Sequence, residues 1–318
     1  MVKVLILGAT GRQGGATARA LLSSGKHSVR AFVRDASSEK AKALAAAGAE
    51  IFEGSDWDKE DVTSLDSAFV GVEAVFFISN PSFADMEAET RSAVNIVEAA
   101  KRAGTVRHVV YSTVAMAQGG TFRDIPGWDR WPFFANYWLS KAKGEELVRT
   151  GGFAHHTILR PTEFMSNYTV EAMAKFQVPD LVSEGVWHTA LPGDFKVNLI
   201  SPEDIGRVAA AAISAPTTFA GGAHELTINA ERLPVSELVA QLAEAAGKKL
   251  TFVTYTRDEA EAVIDKKPII GGQLCRLDLS KSGKAITTAD DFGLGFKTFK
   301  EHLAENREDV VEIYKNVP

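Results

Sequence analysis

One cysteine, Cys275, in 318 residues excludes an internal disulfide framework. No stretch approaches the roughly 18 consecutive apolar residues of a membrane span, so no membrane partner is expected. The chain opens directly on Val2-Lys3-Val4-Leu5-Ile6-Leu7, without a charged leader, apolar segment and cleavage site in front. The expected location is a reducing compartment, the cytoplasm. No run of like charge reaches five residues, and 35 Lys+Arg against 41 Asp+Glu leave a formal charge of −6. Phosphate-backbone binding needs clustered cations, so nucleic acid is not expected as a direct partner. Metal-ligand spacing is also missing: His155 and His156 would point to opposite faces of a strand, and His188 and His224 stand alone in the sequence. Cys275 reads as a small buried hydrophobe rather than a nucleophile. Internal repeats and low-complexity tracts are absent as well.

What remains is ordinary for a globular protein, with 45 % hydrophobic and 24 % charged residues. Val2 to Leu7 is a short branched apolar run closed by Gly8, the pattern of a strand buried on both faces. A helix follows the glycines and stops at Gly25. Val29 to Val33 predicts a second strand, Ser37 to Ala47 a helix, and Ala49 to Glu53 a third strand. Asp61 to Phe69 predicts a helix, Ala74 to Ile78 strand four, Glu87 to Ala103 a long helix ended by Gly104, and His108 to Tyr111 strand five. Asn136 to Thr150 predicts a further amphipathic helix, before a sixth strand near Thr157 to Leu159.

This alternation predicts an α/β fold, a Rossmann-like doubly wound parallel sheet, because each crossover helix must return onto a face of the sheet. Beyond Pro161 the pattern loosens into helical pieces around Pro202 to Ile213 and Val235 to Ala246, an isolated strand at Leu250 to Tyr255 and a charged C-terminal helix. The expected division is a dinucleotide-binding domain over 1–160 and a smaller C-terminal α/β cap domain over 161–318. Some segments of the latter are expected to return to the first core, with a cleft between the two parts.

Gly8-Ala9-Thr10-Gly11-Arg12-Gln13-Gly14 follows the first strand and opens the first helix. The first glycine permits the tight turn, the second lets backbone approach a pyrophosphate, and the third lets helix and strand pack closely. The helix N-terminus supplies free N–H groups to phosphate. Arg34, twenty residues past Gly14, stands where an NAD site usually carries an acid against the ribose 2′-OH. A guanidinium instead suits a 2′-phosphate, and Arg12 offers a second one, so NADP(H) is favoured over NAD. Asp35 is the alternative at this position and would face the ribose if the strand ends one residue later.

These features resemble the NmrA-like branch of the atypical short-chain dehydrogenases, which includes nitrogen-metabolite repressors, NADPH sensors and NADPH-dependent reductases. The resemblance covers nearly the whole chain. It rests on Gly8 to Gly15, Val29-Arg30-Ala31-Phe32-Val33-Arg34-Asp35, Ser140-Lys141-Ala142-Lys143-Gly144-Glu145-Glu146, Leu159 to Asn167, and the closing helix near Phe299 to Asn306. It implies that Ile78, Ser79 and Asn80 pass under the nicotinamide half of the cofactor and that Lys141 bonds the nicotinamide ribose. The turn Pro161, Thr162, Glu163 and Phe164 would contact the nicotinamide end, and adenine would lie near Ser55 or Asp56. The family's usual Gly-Asp pair is split here as Gly54-Ser55-Asp56.

Tyr137 and Lys141 stand at i, i+4, which places both on one helical face. In the wider superfamily that pair is the proton donor and its assistant, the ammonium lowering the phenol's pKa and holding the ribose. Tyr137 therefore leans the reading toward an enzyme that reduces a carbonyl, quinone or related unsaturated organic compound. Its third catalytic residue is expected at Ser112 or Thr113, with Thr113 preferred. Seven of the 28 aromatic residues, Phe122, Trp128, Trp131, Phe133, Phe134, Tyr137 and Trp138, fall in one stretch. They suit either a lid over a flat, aromatic substrate or a packed satellite cluster. The alternative function is a non-catalytic NADP(H) redox sensor that acts through a protein partner.

Overall fold

The computed structural model describes residues 1–59, 62–82, 84–125, 127–130, 132–222, 224–281 and 290–317. Asp61 and Trp131 fall outside them. The chain divides into two compact units. The first comprises Met1–Thr121, Ala135–Pro161 and Pro202–Ile228, and the second Phe122–Phe134, Thr162–Ser201 and Asn229–Pro318.

In the first unit the strands are β1 (Val2–Leu7), β2 (His27–Val33), β3 (Glu50–Glu53), β4 (Ala74–Ile78), β5 (His108–Ser112) and β6 (His155–Pro161), with an edge strand Glu225–Ile228. They form one sheet in the order β3-β2-β1-β4-β5-β6-edge, each neighbouring pair parallel. The helices between them are α1 (Arg12–Ser24), α2 (Glu39–Ala46), α3 (Thr63–Ala68), α4 (Ala88–Ala103) and α5 (Pro132–Thr150). Val4, Leu5, Ile6 and Leu7 are all fully buried, as a central strand covered on both faces requires. Strand order reverses between β1 and β4, and in such sheets ligands bind in the crevice outside the carboxyl ends at this switch point.

Local chemistry explains most element boundaries. Gly25 and Gly104 cap α1 and α4 in the left-handed conformation, φ +65° and +67°. Ser38 caps α2 by accepting from the Ala41 amide, which starts that helix two residues later than the expected Ser37. Helix α5 begins at Pro132 rather than Asn136, since proline's fixed φ suits a first helical turn. The edge strand has no counterpart in the periodicity reading. Its four residues are too short to announce themselves, and β6 extends to His155–Pro161 beside it.

Helix Pro202–Ser214 belongs to the first unit and packs against α1. The approach is close: a Cβ on Gly206 would stand 2.5 Å from the Ala16 carbonyl carbon and 2.6 Å from its Cβ. Only glycine fits this crossing.

The second unit carries a three-stranded sheet, Glu231–Pro234, Lys196–Ile200 and Glu163–Phe164, and a parallel pair of Val186–Thr189 with Thr251–Thr254. The strand expected to be isolated at Leu250 to Tyr255 is therefore paired. Its core gathers Tyr168, Trp187, Leu191, Leu238, Phe299 and Tyr314. Cys275 is buried, and desolvation pushes its thiol up to about 12, so it behaves as an inert apolar side chain. Among the described residues, no helix is long and apolar enough to cross a membrane.

Candidate active site

Parallel pairing puts the carboxyl ends of β1 and β4 side by side, and the turn at Gly8 leads from β1 into α1. The Gly8 φ of +69° is a backbone state that side chains rarely adopt, and Gly11 N–H closes the turn onto Gly8 O at 2.9 Å. The glycines do different work. A Cβ on Gly14 would sit 2.3 Å from Gly8 O, so this residue is a packing necessity between helix and turn. A Cβ on Gly11 would meet only Gly8 O, at 3.1 Å, and Gly11 is exposed at the N-cap of α1. No side chain caps that end and no acid occupies its first turn, which leaves the positive end of the helix dipole for an anion. Arg12 and Gln13 are half-buried there, and burial pushes the Arg12 guanidinium down from its ordinary value. Thr10 is half-buried within the turn.

Arg34 directly follows β2 and stands 3.6 Å from Asp56, its side chain 75 % exposed. Asp35 is occupied otherwise. Its carboxylate accepts from the Ser37 amide at 2.7 Å and the Ser37 hydroxyl at 2.6 Å, closing a local turn, and these bonds hold its pKa down. Ser55 is tied to Ser64, the hydroxyls 2.9 Å apart, while Gly54 avoids the Phe32 ring that a Cβ would meet at 2.4 Å. Trp57 was not singled out from the sequence. It is half-buried, edge-on to Phe32, and its indole lies 3.9 Å from the position of a Cβ on Gly8.

A buried polar network sits past β4 and β5. The Lys141 ammonium donates to Ser79 O at 2.6 Å and pairs with Glu89 Oε1 at 2.8 Å. Ser79 Oγ donates to the same Glu89 oxygen at 3.2 Å and meets Tyr111 Oη at 2.7 Å. Tyr111 stacks on Phe77, ring centroids 4.5 Å apart. Gly144 is required on α5 because a Cβ there would be 2.6 Å from that same hydroxyl. Asn80, next in the chain, is exposed. Glu89 carries no motif; a lone glutamate in the first turn of α4 gives no sequence signal of burial.

Tyr137 and Lys141 do share one helical face, with Lys141 Nζ 5.5 Å from the Tyr137 ring centroid. The expected effect on the phenol is reversed. Burial, reinforced by the Glu89 carboxylate, pushes the Tyr137 pKa above its ordinary value. The ammonium's charge is offset by Glu89 2.8 Å away, so desolvation decides the outcome. Both candidate hydroxyls, Ser112 at the end of β5 and Thr113 just after it, have protein partners: Ser112 donates to Gln13 Oε1 at 2.6 Å, and Thr113 to Glu145 Oε1 at 3.0 Å. Glu145 in turn takes a bidentate pair from the buried Arg160, at 2.8 and 2.6 Å.

In the second unit, Thr162 Oγ1 lies 3.4 Å from Asn229 Oδ1 and Phe164 is half-buried in its short strand, while Pro161 ends β6 in the first unit. Phe122 meets Trp128 edge-on at 5.1 Å and Phe133 meets Phe134 at 5.4 Å, so these aromatics form local pairs. The histidines are not isolated. The His156 and His224 rings are 5.3 Å apart, and His188 bonds Asp180 at 3.0 Å. Among the described residues, no group of three or more His, Cys, Asp or Glu is placed to hold a metal.

A glycine turn and an uncapped helix N-terminus at the carboxyl end of the first strand of a doubly wound sheet define a Rossmann-type fold. Within that class, the NmrA-like family matches residues 2–274, and the chain belongs to it. An NmrA-like family domain-containing oxidoreductase of an Aspergillus species is 45 % identical over 115 residues, 35 % of this chain and 33 % of that one. The chain thus matches about a third of the length of such relatives. A Streptomyces griseus (4-alkanoyl-5-oxo-2,5-dihydrofuran-3-yl)methyl phosphate reductase is 28 % identical over 96 % of this chain and 98 % of that one. Among solved structures, Citrobacter triphenylmethane reductase complexed with NADP(H) superposes with a TM-score of 0.66 at 24 % identity, over 96 % and 99 % of the two chains.

Proposed function

We propose that this chain is an NADP(H)-dependent reductase of a small carbonyl, quinone or related unsaturated organic compound. The observation that carries the reading is the conjunction, in one unit, of an uncapped α1 N-terminus behind the Gly8 turn with the buried, oriented Lys141 beyond β4. The residues fit a dinucleotide: Gly11 leaves room for pyrophosphate, Arg12 and Arg34 supply cations for a 2′-phosphate, and Lys141 offers its ammonium to a ribose hydroxyl. The family resemblance assigns Ser79, Asn80, Pro161, Thr162 and Phe164 to the nicotinamide end and Ser55 and Asp56 to the adenine end. Relatives named as reductases, one of them complexed with NADP(H), support the same class.

When bound, the nicotinamide supplies hydride chemistry. The chain's own residues bind, orient and donate a proton. Tyr137 is the donor: its raised pKa keeps the phenol protonated, the form that donation to a developing oxyanion needs. Thr113 reaches a substrate oxygen only by giving up Glu145, which leaves Tyr137 the leading catalytic group. The aromatic-rich stretch from Phe122 to Trp138 suits a flat substrate.

The commitment of Thr113 and Ser112 to protein partners favours one second reading, an NADP(H)-responsive protein whose partner is another protein. A screen of aldehydes, ketones, enones and quinones, read as NADPH consumption, separates the two. Turnover abolished by Lys141→Ala establishes the reductase. NADPH binding with no turnover across the screen, and a protein captured in one cofactor state only, establishes the other.

A further inference from the structure

An ammonium has three N–H donors. Two of those on Lys141 end on protein, at Glu89 Oε1 (2.8 Å) and Ser79 O (2.6 Å), so one remains. The side chain is 5 % exposed and its ammonium lies 6.0 Å from the Tyr111 ring centroid and 5.5 Å from that of Tyr137. Held at two acceptors and buried beside two rings, the ammonium has little freedom, and the direction of its third N–H follows from where those acceptors stand.

Glu89 is the unusual member of the set. It is 1 % exposed, and its Oε1 takes both the ammonium and the Ser79 hydroxyl, while its Oε2 is buried with no hydrogen-bond partner among the described groups. A buried ion pair gives at best a small net stabilisation over an apolar pair of similar volume, and an unsatisfied carboxylate oxygen makes it worse. Stability alone does not account for a glutamate here. Resting on the reading of Lys141 as the ribose anchor, we propose that Glu89 is a positioning residue that locks the Lys141 ammonium in place so that its remaining N–H faces the bound dinucleotide.

The test is a double-mutant cycle on NADPH affinity, measured by calorimetry on the full chain beside thermal melts. Glu89→Gln keeps the shape and removes the charge, Lys141→Met removes the ammonium, and the third variant carries both. Each single change is expected to weaken NADPH about tenfold or more, and the double variant to be no weaker than Lys141→Met, because Glu89 acts only through the lysine. A folded Glu89→Gln protein with wild-type affinity, or losses that multiply in the double variant, overturns the proposal. Glu89→Asp guards against misfolding: it keeps the charge but withdraws it by one methylene, and a several-fold loss at an unchanged melting temperature is expected. Wild-type affinity in Glu89→Asp also overturns it. Wild-type affinity in Lys141→Met instead removes the ribose assignment, and the positioning role with it.

Discussion

The Arg34 guanidinium and the Asp56 carboxylate face each other at 3.6 Å, just past the ends of β2 and β3, with three quarters of the arginine side chain exposed. At that distance and exposure the pair is worth at most about 1 kcal/mol, so the arginine is held without being consumed.

NADPH is therefore expected to bind more tightly than NADH by about tenfold or more. A charge-assisted bond to the 2′-phosphate contributes roughly 1.5–3 kcal/mol. Calorimetry with both cofactors on wild type and Arg34→Ala checks this; equal affinities, or an unchanged preference in the variant, would count against it.

Two neighbouring glycines should fail in opposite ways. Gly14→Ala forces a Cβ to within 2.3 Å of Gly8 O and should destabilise the fold by roughly 1–3 kcal/mol. Gly11→Val meets far less protein and should leave the circular dichroism spectrum near wild type while removing cofactor binding. Melting curves and NADPH titrations on both variants make the comparison.

Tyr137→Phe should lower turnover on a carbonyl substrate by about 10²-fold and leave NADPH affinity near wild type. Lys141→Ala should reduce both. Because burial raises the phenol's pKa, the wild-type rate is expected to hold through mildly alkaline pH with no fall attributable to Tyr137. Full activity in Tyr137→Phe would remove the phenol from the mechanism.

Acid should weaken the first unit through Glu225. Burial opposes its ionisation, but bonds from Arg149 (2.8 Å) and Arg160 (2.5 Å) outweigh that and hold its carboxyl down at about 2. In the unfolded chain it takes up a proton near pH 4.3, as an ordinary glutamate does. Its contribution is thus present above about pH 5 and is lost as pH falls toward about 2; after allowance for solvent screening it is about 1 kcal/mol. Glu225→Gln should flatten that part of the stability curve, read as melting temperature against pH.

The parts of the structure that could be read from the chain are those where one residue answers to one local rule. The Gly8 to Gly14 spacing, the caps at Gly25 and Gly104, and the branched apolar runs of β1 and β4 each carry their reason within a few positions. The i, i+4 pairing of Tyr137 and Lys141 was legible for the same reason. Its electrostatics were not, because they depend on how deeply the phenol is buried and on Glu89, 52 positions upstream of Lys141, which pairs with the ammonium only through the packing of α4. Ser112 and Thr113 were likewise indistinguishable in sequence. Their partners, Gln13 and Glu145, lie on other elements. The edge strand Glu225–Ile228 was missed because four residues hold too little periodicity, and its place depends on β6.

Gly206 has a bearing on how the protein is made. The helix that carries it, and the last strand of the seven, come after the stretch Thr162–Ser201, which belongs to the other unit. On the ribosome the seven-stranded sheet stays unfinished until about residue 230 has left the exit tunnel, with the face of α1 at Ala16, against which Gly206 packs, uncovered meanwhile. A nascent chain stopped at Pro161 should therefore be a client for chaperones rather than a small folded domain. A gene that shed its second half would lose part of its first, which ties the two units together through inheritance.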